Sequence, residues 1–388
     1  MKIHGYRRCD GRLGIRNYVL ILPTNICASD TAEMIARQVN GAVSFHNQVG
    51  CSQVPSDMQY ALDMMGGFAA NPNVYGTILV GLGCETCQPD MVAEEIRKRT
   101  NKPLEVLVIQ KEGGTIKTVE KAVRLARQMV AEASMVQKEE ADISEIMLAT
   151  ECGGSDPTSG LAANPVIGEL SDTIVKEHGT VILSETSELI GTEEILASRA
   201  KNEDVKNRVL HIVDRFEQHF CNNGEDVRYG NPTPGNKEGG LTTLEEKSLG
   251  CIHKGGTTPI QEVYDYAKQI PAEQKGLVIM DTPGNDASSI AGMLAGGAQI
   301  VVFSSGRGTP LGCPLAPVIK ITGNERTYQI MKDNIDFDAS PALCGAKSME
   351  ELGRELYEMV VETCNGKLTK AEALGFTETA VMRACNYV

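Results

Sequence analysis

The sequence predicts an α/β fold made of two consecutive Rossmann-like three-layer domains with mainly parallel sheets. Short apolar runs rich in branched residues alternate with longer segments of helical periodicity, which is the pattern of parallel strands joined by crossover helices. Most of these runs end in a polar or glycine-bearing turn. The 388 residues, 41% hydrophobic and 23% charged, are enough to form the cores of two or three ordinary domains.

The strands divide into two series along the chain. The first domain is predicted over residues 1–138, where a charged helix closes it, and the second over residues 139–388. The strands of the first series are expected at 18–22, 42–45, 77–80 and 104–109. Those of the second are expected at 145–149, 180–183, 276–280, 299–303 and 318–321.

A segment rich in glycine, proline and asparagine, residues 222–258, interrupts the second series. It contains NPTPGNKEGGLTTLEEKSLG and HKGGTTP, which cannot form a regular element throughout. Loops of this length in a compact domain are usually functional or disordered. Because its charges are mixed and a short helix is possible at 243–249, we predict an ordered functional loop.

Charge and hydropathy exclude several classes of protein. The formal charge is −14 and there is no lysine-rich block, so nucleic acid is not an expected partner. No run approaches the roughly 18 apolar residues of a membrane span. The start, MKIHGYRRCDGRLG, is too polar for a secretory signal, and we therefore expect a cytoplasmic protein.

The composition is unusual in its 12 cysteines, and cytosolic thiols stay reduced, so metal ligation or thiol chemistry is the question. Ligands of open α/β sheets bind beyond the carboxyl ends of the strands. Turns at such positions carry Cys27, Cys51, Cys84 and Cys152. Four thiols there would suit iron, zinc or an iron–sulfur cluster, although any one of them could simply fill space. Most other cysteines, Cys251 among them, are expected to be inert.

Other polar residues occupy equivalent turns. Ser155 and Asp156 follow Cys152 in TECGGSD, Glu185 follows the strand at 180–183, and Arg307 lies between two glycines after the strand at 299–303. A carboxylate there can act as a base or a metal ligand, and an arginine can clamp a substrate carboxylate. No complete nucleotide-binding motif is present.

The amino-terminal CDGRLGIRN places four polar side chains directly before the first strand: Asp10, Arg12, Arg16 and Asn17. Charges at a chain terminus are normally surface decoration. Two glycines and the strand that follows make an ordered, ligand-facing turn the alternative.

Six motifs together resemble the altronate and galactarate dehydratase family over essentially the whole chain. They are DGRLGIRN, GLGCE, ECGGSDPTSGLAANPVIG, SETSELIG, NPTPGNKEGGLTTLEEKSLG and FSSGRGTPLGCPLAPVIKI, in that order. The resemblance implies removal of water from a sugar acid such as altronate or galactarate, giving a 2-keto-3-deoxy acid, with Fe²⁺ as the associated metal.

The resemblance also implies roles for residues within the motifs. Lys247 would be a general base or an enolate-stabilising cation, and the alternative is a surface lysine paired with Glu246. Asp156 and Glu185 are the other candidates for the base. Iron, either as a single ion or as a cluster, would be held by some of the four strand-end cysteines. The expected substrate-binding residues are Asp10, Arg12, Arg16, Asn17, Ser155, Asn231 and Arg307.

Many family members carry a small additional domain ahead of DGR, whereas this chain has nine residues there. We therefore expect either a separate small subunit or none, and an oligomer. The large subunit of sulfolactate sulfo-lyase belongs to the same family and has a similar length. Cys51 and Cys84 favour a hydro-lyase over that enzyme, and a non-catalytic iron-binding subunit is the third reading.

Overall fold

The structure is a computed structural model that describes residues 1–385. Its first part contains seven strands and five helices. The strands are β1 (Lys2–Arg7), β2 (Leu13–Gly14), β3 (Tyr18–Pro23), β4 (Ala42–Val43), β5 (Val74–Gly81), β6 (Leu104–Val108) and β7 (Glu139–Asp142). The helices are α1 (Ile26–Ala36), α2 (Pro55–Ala70), α3 (Pro89–Arg99), α4 (Ile109–Glu112) and α5 (Thr115–Ser134).

The remaining part alternates strands and helices more irregularly. Its strands are β8 (Met147–Cys152), β9 (Thr180–Leu183), β10 (Ile260–Tyr264), β11 (Gly276–Met280), β12 (Ile300–Ser304), β13 (Val318–Thr322) and β14 (Phe337–Asp338). Its helices are α6 (Asn164–Lys176), α7 (Glu193–Ala197), α8 (Glu203–Asn222), α9 (Val227–Gly230), α10 (Pro234–Glu238), α11 (Leu244–Cys251), α12 (Asp286–Gly296), α13 (Glu325–Ile330), α14 (Met349–Cys364) and α15 (Lys370–Leu374). A π-helical turn, Ser159–Ala163, precedes α6.

These strands form two parallel sheets and one small antiparallel sheet. The four-stranded sheet has the order β4-β3-β5-β6, and the seven-stranded sheet has the order β10-β11-β9-β8-β12-β13-β14. All pairs within these two sheets are parallel. The α/β class predicted from the sequence is confirmed.

The nine predicted strands are all present, with ends shifted by up to three residues. The sequence did not predict β10 and β14 at the edges of the large sheet, nor the antiparallel sheet β2-β1-β7. In that sheet Ile3 lies opposite Ala141, so the amino terminus pairs with the segment that follows residue 138. The division of the chain at residues 138 and 139 stays a prediction.

Alternate residues of the large sheet enter two different cores because both of its faces are covered. Leu148 and Val181 pack with α6, α8 and α14, whereas Ala149 and Ile182 face α2 and α12. The second core also contains Leu20 and Leu79 of the small sheet, so one continuous apolar region joins the two sheets. A third core, between α1, α5 and the small sheet, completes the layers.

The loop at 222–258 is ordered and carries α9, α10, α11 and a 3₁₀ turn at Ile252–Gly255. The helix predicted at 243–249 is confirmed as α11, which starts after a Thr243 cap. Gly160 and Gly250 allow α11 to cross the π-helical turn closely: a Cβ added to Gly250 would lie 2.9 Å from the Cα of Gly160. Within residues 1–385, no helix is both long and apolar enough to cross a membrane.

Candidate functional site

Buried ionisable side chains gather at the carboxyl edge of the seven-stranded sheet. β8 ends at Cys152, β9 is followed by Glu185, and the loop reaches over them with Cys251 and Lys254. The side chains of Glu185 and Lys254 are both 0% exposed. Such residues are almost never fully buried unless they are paired, and here they form an ion pair.

Lys254 is the centre of one half of the site. Its Nζ donates to Glu185 Oε2 and lies 2.8 Å from the Sγ of Cys251. Glu185 itself has a left-handed backbone, with φ of 69°, and its N–H donates to Thr282 Oγ1 at 2.7 Å. A non-glycine residue held in this region is strained, and strain of this kind is concentrated at functional sites.

Lys247 forms the other half. Its Nζ lies 2.6 Å from Glu188 Oε1 and donates to Asn231 Oδ1 at 3.0 Å, and the side chain is only 9% exposed. Burial alone would lower the pKa of Lys247, but the Glu188 carboxylate outweighs it and raises that pKa above the usual value. The Glu188 contact therefore favours Lys247 as a fixed cation over a general base.

Cys152 lies between these two ion pairs. Its Sγ is 3.0 Å from Ser155 Oγ and 3.6 Å from the Nδ2 of Asn164. A hydrogen bond from the Cys251 thiol and the charge of Lys254 lower the pKa of Cys152 to about 5, although burial opposes this. The pKa of Cys251 shifts in the opposite direction, because burial and the hydrogen bond to Cys152 raise it.

Two further carboxyl groups lie beside Glu185. Burial raises the pKa of Glu151, in β8, to about 8. Burial and the negative charge of Glu188 raise the pKa of Asp286, the first residue of α12, to about 6. Burial and the neighbouring Glu151 raise the pKa of Glu185 as well. Perturbed groups clustered in this way are typical of functional sites.

A cavity of about 280 Å³ opens onto this cluster. Its lining includes Cys152, Ser155, Asn164, Lys247 and His253. Burial lowers the pKa of His253, so its imidazole is neutral at pH 7. The cavity therefore presents an ammonium group, a thiol of lowered pKa and a neutral imidazole to a small ligand.

A second cavity, of about 530 Å³, reaches the other side of Lys247. Its lining includes Glu188, Asn231, Phe216, Phe220 and Tyr229. The Lys247–Glu188 pair is thus reached from two directions.

Three residues predicted from the sequence come together here, namely Ser155, Asn231 and Lys247, and Glu185 and Cys152 lie beside them. Asp156, the predicted alternative base, has another role. Its Oδ1 accepts from Thr158 Oγ1 at 2.6 Å and from Ser159 N at 3.1 Å, and its Oδ2 accepts from Asn324. Both oxygens of Asp156 therefore accept hydrogen bonds from its own chain. Asp156 also lines the cavity described above, and its role as a base stays a prediction.

Arg307 lies at the rim of the same edge. The backbone N–H of Arg307 donates to Gly154 O at 2.8 Å, which holds Arg307 against the turn after β8. Its guanidinium is partly exposed and lies 3.2 Å from Glu238 of α10. Binding of a substrate carboxylate by Arg307 would require that surface ion pair to open.

The structure does not place the amino-terminal motif at the pocket. Arg16 forms a bidentate ion pair with Glu372 and also donates to three backbone carbonyls. Asn17 accepts from Arg8 and donates to Ala133 O. Arg12 donates to Ile270 O, and Asp10 accepts from the backbone N–H of Arg12. These side chains hold the terminus in place instead of facing the turns after β8 and β9.

The four cysteines predicted as metal ligands are divided between two sheets. Cys27, Cys51 and Cys84 follow strands of the small sheet, whereas Cys152 ends β8 of the large one. No three of their sulfur atoms form a group within 4.8 Å in the part of the chain that the structure describes. A single ion shared by these four thiols is thus not supported, because the strands form two sheets, each with its own carboxyl edge.

Sequence reasoning missed five members of the cluster: Glu151, Glu188, Cys251, Lys254 and Asp286. Cys251, expected to be inert, is buried against Glu188 with Sγ–Oε2 of 2.9 Å. One signal was available for Glu151, a carboxylate within the largely apolar strand MLATEC. Lys254 gave no signal, because a lysine in a glycine-rich loop normally faces solvent.

The chain belongs to the galactarate and altronate dehydratase family. Residues 143–386 match the family model described as "D-galactarate/Altronate dehydratase, C-terminal". Residues 5–134 match the model described as "D-galactarate dehydratase/Altronate hydrolase, second domain". The family resemblance drawn from the motifs is confirmed, and the relatives are lyases.

Several curated relatives align over almost the whole chain. The (2R)-sulfolactate sulfo-lyase subunit beta of Chromohalobacter salexigens is 38% identical, and the match covers 98% of this chain and 96% of that protein. The altronate dehydratase of Bacillus subtilis is 33% identical, with 98% of this chain and 77% of the relative covered. The galactarate dehydratase (L-threo-forming) of Escherichia coli is 30% identical, with 94% and 72% covered.

Proposed function

We propose that this protein is a lyase that removes a β-substituent from a small hydroxy acid. The first candidate reaction is the loss of hydroxide from a sugar acid such as altronate or galactarate. The observation that carries the proposal is the buried Lys247 ammonium on the wall of the 280 Å³ cavity. Removal of the proton next to a carboxylate creates an enediolate, which needs a fixed positive charge beside it.

The remaining chemistry is assigned to groups on the same wall. Cys152, His253 and Asp156 line the cavity and can accept the proton, but both oxygens of Asp156 already accept hydrogen bonds, and Glu185, outside the lining, is paired with Lys254. Ser155 and Asn164, which also line it, are placed to orient substrate hydroxyl groups. We propose Cys152 as the proton acceptor because it is deeper in the site and closest to both ion pairs.

Iron dependence remains part of the proposal. Iron(II), when bound, would supply a Lewis acid to the hydroxyl or carboxylate oxygens of the substrate. The buried carboxyl groups of the cluster fit a divalent cation, because four of them face only two ammonium groups, those of Lys247 and Lys254. The four are Glu151, Glu185, Glu188 and Asp286.

Elimination of sulfite from sulfolactate is the second candidate function. It is favoured by the 38% identity to the sulfo-lyase subunit over 98% of this chain, against 33% to the altronate dehydratase of Bacillus subtilis. The word "subunit" in that relative's name also supports a partner chain, and we propose a small second subunit here.

The substrate panel that separates these functions is altronate, galactarate and sulfolactate, assayed anaerobically with Fe²⁺ on the chain alone. A 2-keto-3-deoxy acid without sulfite supports the hydro-lyase, and sulfite release supports the sulfo-lyase. Iron uptake with no turnover of any of the three acids by the chain alone would point to a non-catalytic subunit or to a missing partner, and would count against catalysis by this chain alone.

A further inference from the structure

A small cavity lies at the amino edge of the seven-stranded sheet, at the opposite end of β8 from Cys152. Its volume is about 80 Å³. The lining brings together Arg12 of the amino-terminal motif, Met147 of β8, Lys275 of the loop before β11 and Gly297 of the turn after α12. The cavity is therefore separate from the two cavities of the candidate active site.

Arg12 lines this cavity with most of its hydrogen-bonding capacity unused. A guanidinium carries five N–H donors. Among the described residues, the Arg12 side chain donates only from Nη2 to Ile270 O, at 3.1 Å. Gly297 has a left-handed backbone, with φ of 115°, and a Cβ there would lie 3.0 Å from Arg12 Nη1, so the lack of a side chain makes room for the guanidinium. The remaining N–H groups of Arg12 are available to a ligand.

Lys275 adds a second positive charge to the same wall. Its Nζ donates to Ser144 O at 2.8 Å. Neither Arg12 nor Lys275 forms an ion pair with a carboxylate in the part of the chain that the structure describes. Burial lowers the pKa of both side chains, which is the direction expected for cations that lack a counter-charge in contact.

The acidic side chains around the cavity are bonded elsewhere or lie outside it. Glu145 lines the cavity but forms a bidentate ion pair with Arg7. Asp10 is exposed and accepts from the backbone N–H of Arg12 at 3.1 Å, and Glu273 is exposed to solvent. The two cations of the cavity wall are therefore not neutralised by direct contact.

Two buried cations beside the cavity add to its positive potential. Arg8 donates from Nε to the carbonyl oxygen of Pro72, a lining residue, at 2.6 Å, and Lys102 donates to Ala70 O at 2.9 Å. Burial lowers the pKa of Lys102 to about 7, and the charges of Arg8 and Arg12 lower it as well. In a chain of formal charge −14, such a concentration of cations marks a place that attracts an anion.

We propose that this cavity binds one small oxyanion of the size of phosphate or sulfate, held by the guanidinium of Arg12 and the ammonium of Lys275. A guanidinium matches two oxygens of such an anion, whereas an ammonium binds as a point charge. The volume of about 80 Å³ is far below the roughly 300–1,000 Å³ of pockets for larger ligands, so a six-carbon sugar acid is not the expected ligand. Binding can be measured without substrate, so the proposal is independent of the proposed function.

The test is isothermal titration calorimetry of the full chain with inorganic phosphate, in a phosphate-free buffer at constant ionic strength. We expect about one phosphate per chain, and an affinity at least about tenfold weaker in Arg12→Gln and in Lys275→Gln. Arg124→Gln, which removes an exposed arginine of α5, is the matched control and should bind phosphate as the unmodified chain does. If the unmodified chain binds no phosphate, or if Arg124→Gln loses it equally, the proposal is overturned.

Two further comparisons separate this site from other ways of binding an anion. If Lys247→Met loses phosphate and Arg12→Gln keeps it, the anion lies in the candidate active site and the proposal is wrong. Phosphate and sulfate should raise the Tm of the unmodified chain but not that of Arg12→Gln. An equal rise with chloride and acetate at the same ionic strength would show charge screening instead of a site. Circular dichroism shows whether each variant is folded, and Lys275→Gln provides the same comparison if Arg12→Gln does not fold.

Discussion

Arg16 is a buried structural cation, although its motif suggested a role in substrate binding. Its side chain is 7% exposed and bidentate to Glu372, which is 9% exposed. Removing one partner of a buried ion pair leaves the other uncompensated. Arg16→Ala should therefore lower the free energy of unfolding by about 3–5 kcal/mol. The measurement is chemical denaturation, with Arg307→Ala, at the partly exposed rim, as a control expected to change it by less than about 1 kcal/mol.

The KM of Arg16→Ala tests the same assignment by activity. Arg16→Ala protein that is still folded should keep its KM, because no substrate contact has been removed. A large rise in KM without loss of stability would show that the motif binds substrate after all.

Cys152 and His253 are the two proposed proton acceptors on the cavity wall. Because Cys152 is the deeper and is held by Ser155 and Asn164, Cys152→Ser should lower kcat by about a hundredfold or more. His253→Gln, at the exposed rim, should lower it by less than about tenfold. A larger loss of kcat in His253→Gln than in Cys152→Ser, measured by steady-state kinetics, would assign the proton transfer to His253.

The residues of the site were predictable only in part. Lys247, Asn231 and Ser155 lie in long family motifs, and the strand-end rule drew attention to Cys152 and Glu185. Lys254 and Asp286 became functional candidates only in the folded chain, because their importance depends on being buried against residues distant in sequence. Asp156 shows a related difficulty, since a carboxylate that is bonded to its own turn and a catalytic one follow a strand in the same way, and its role as a base stays a prediction.

At the level of elements, α11 carries Lys247 and Cys251, and its position depends on a glycine contact. Gly250→Ala would place a methyl group 2.9 Å from the Cα of Gly160 and push α11 away from the π-helical turn. We expect kcat to fall at least about tenfold, since small displacements of catalytic groups are costly. Gly235→Ala, in the same loop with nothing within 4 Å, is the control and should retain activity. Equal activity of both variants would show that α11 need not be held so closely.

The central strands were predictable because both of their faces are buried, which produces continuous apolar runs such as those of β3, β9 and β11. Edge strands carry mixed sequences, and β10 and β14 were missed for that reason. The strands β1, β2 and β7 pair residues far apart along the chain, and nothing local in the sequence indicates that pairing.

At the scale of the whole molecule, α2 and α12 join the two sheets through one core. A Cβ at Gly67 in α2 would lie 2.4 Å from the carbonyl oxygen of Ala295 in α12, so the two helices touch backbone to backbone. Gly67→Ala should lower the free energy of unfolding by about 1–3 kcal/mol through overpacking.

The neighbouring Gly66 provides the matched control for that prediction. A Cβ there would meet only the flexible side chains of Arg99 and Glu95, at 3.0–3.2 Å. Gly66→Ala should therefore be neutral or slightly stabilising, because alanine favours a helix. Equal denaturation midpoints for the two variants would mean that the contact between α2 and α12 is not tightly packed.

The most direct test of the account is the rate of keto-acid formation by the Lys247→Met and Lys247→Arg variants with the best substrate of the panel. Loss of the buried ammonium should lower kcat at least about a hundredfold in Lys247→Met, because the enediolate then lacks its counter-charge. Lys247→Arg should retain part of the activity, since it keeps a positive charge. A folded Lys247→Met protein with unchanged kcat would contradict the assignment of this cavity as the active site.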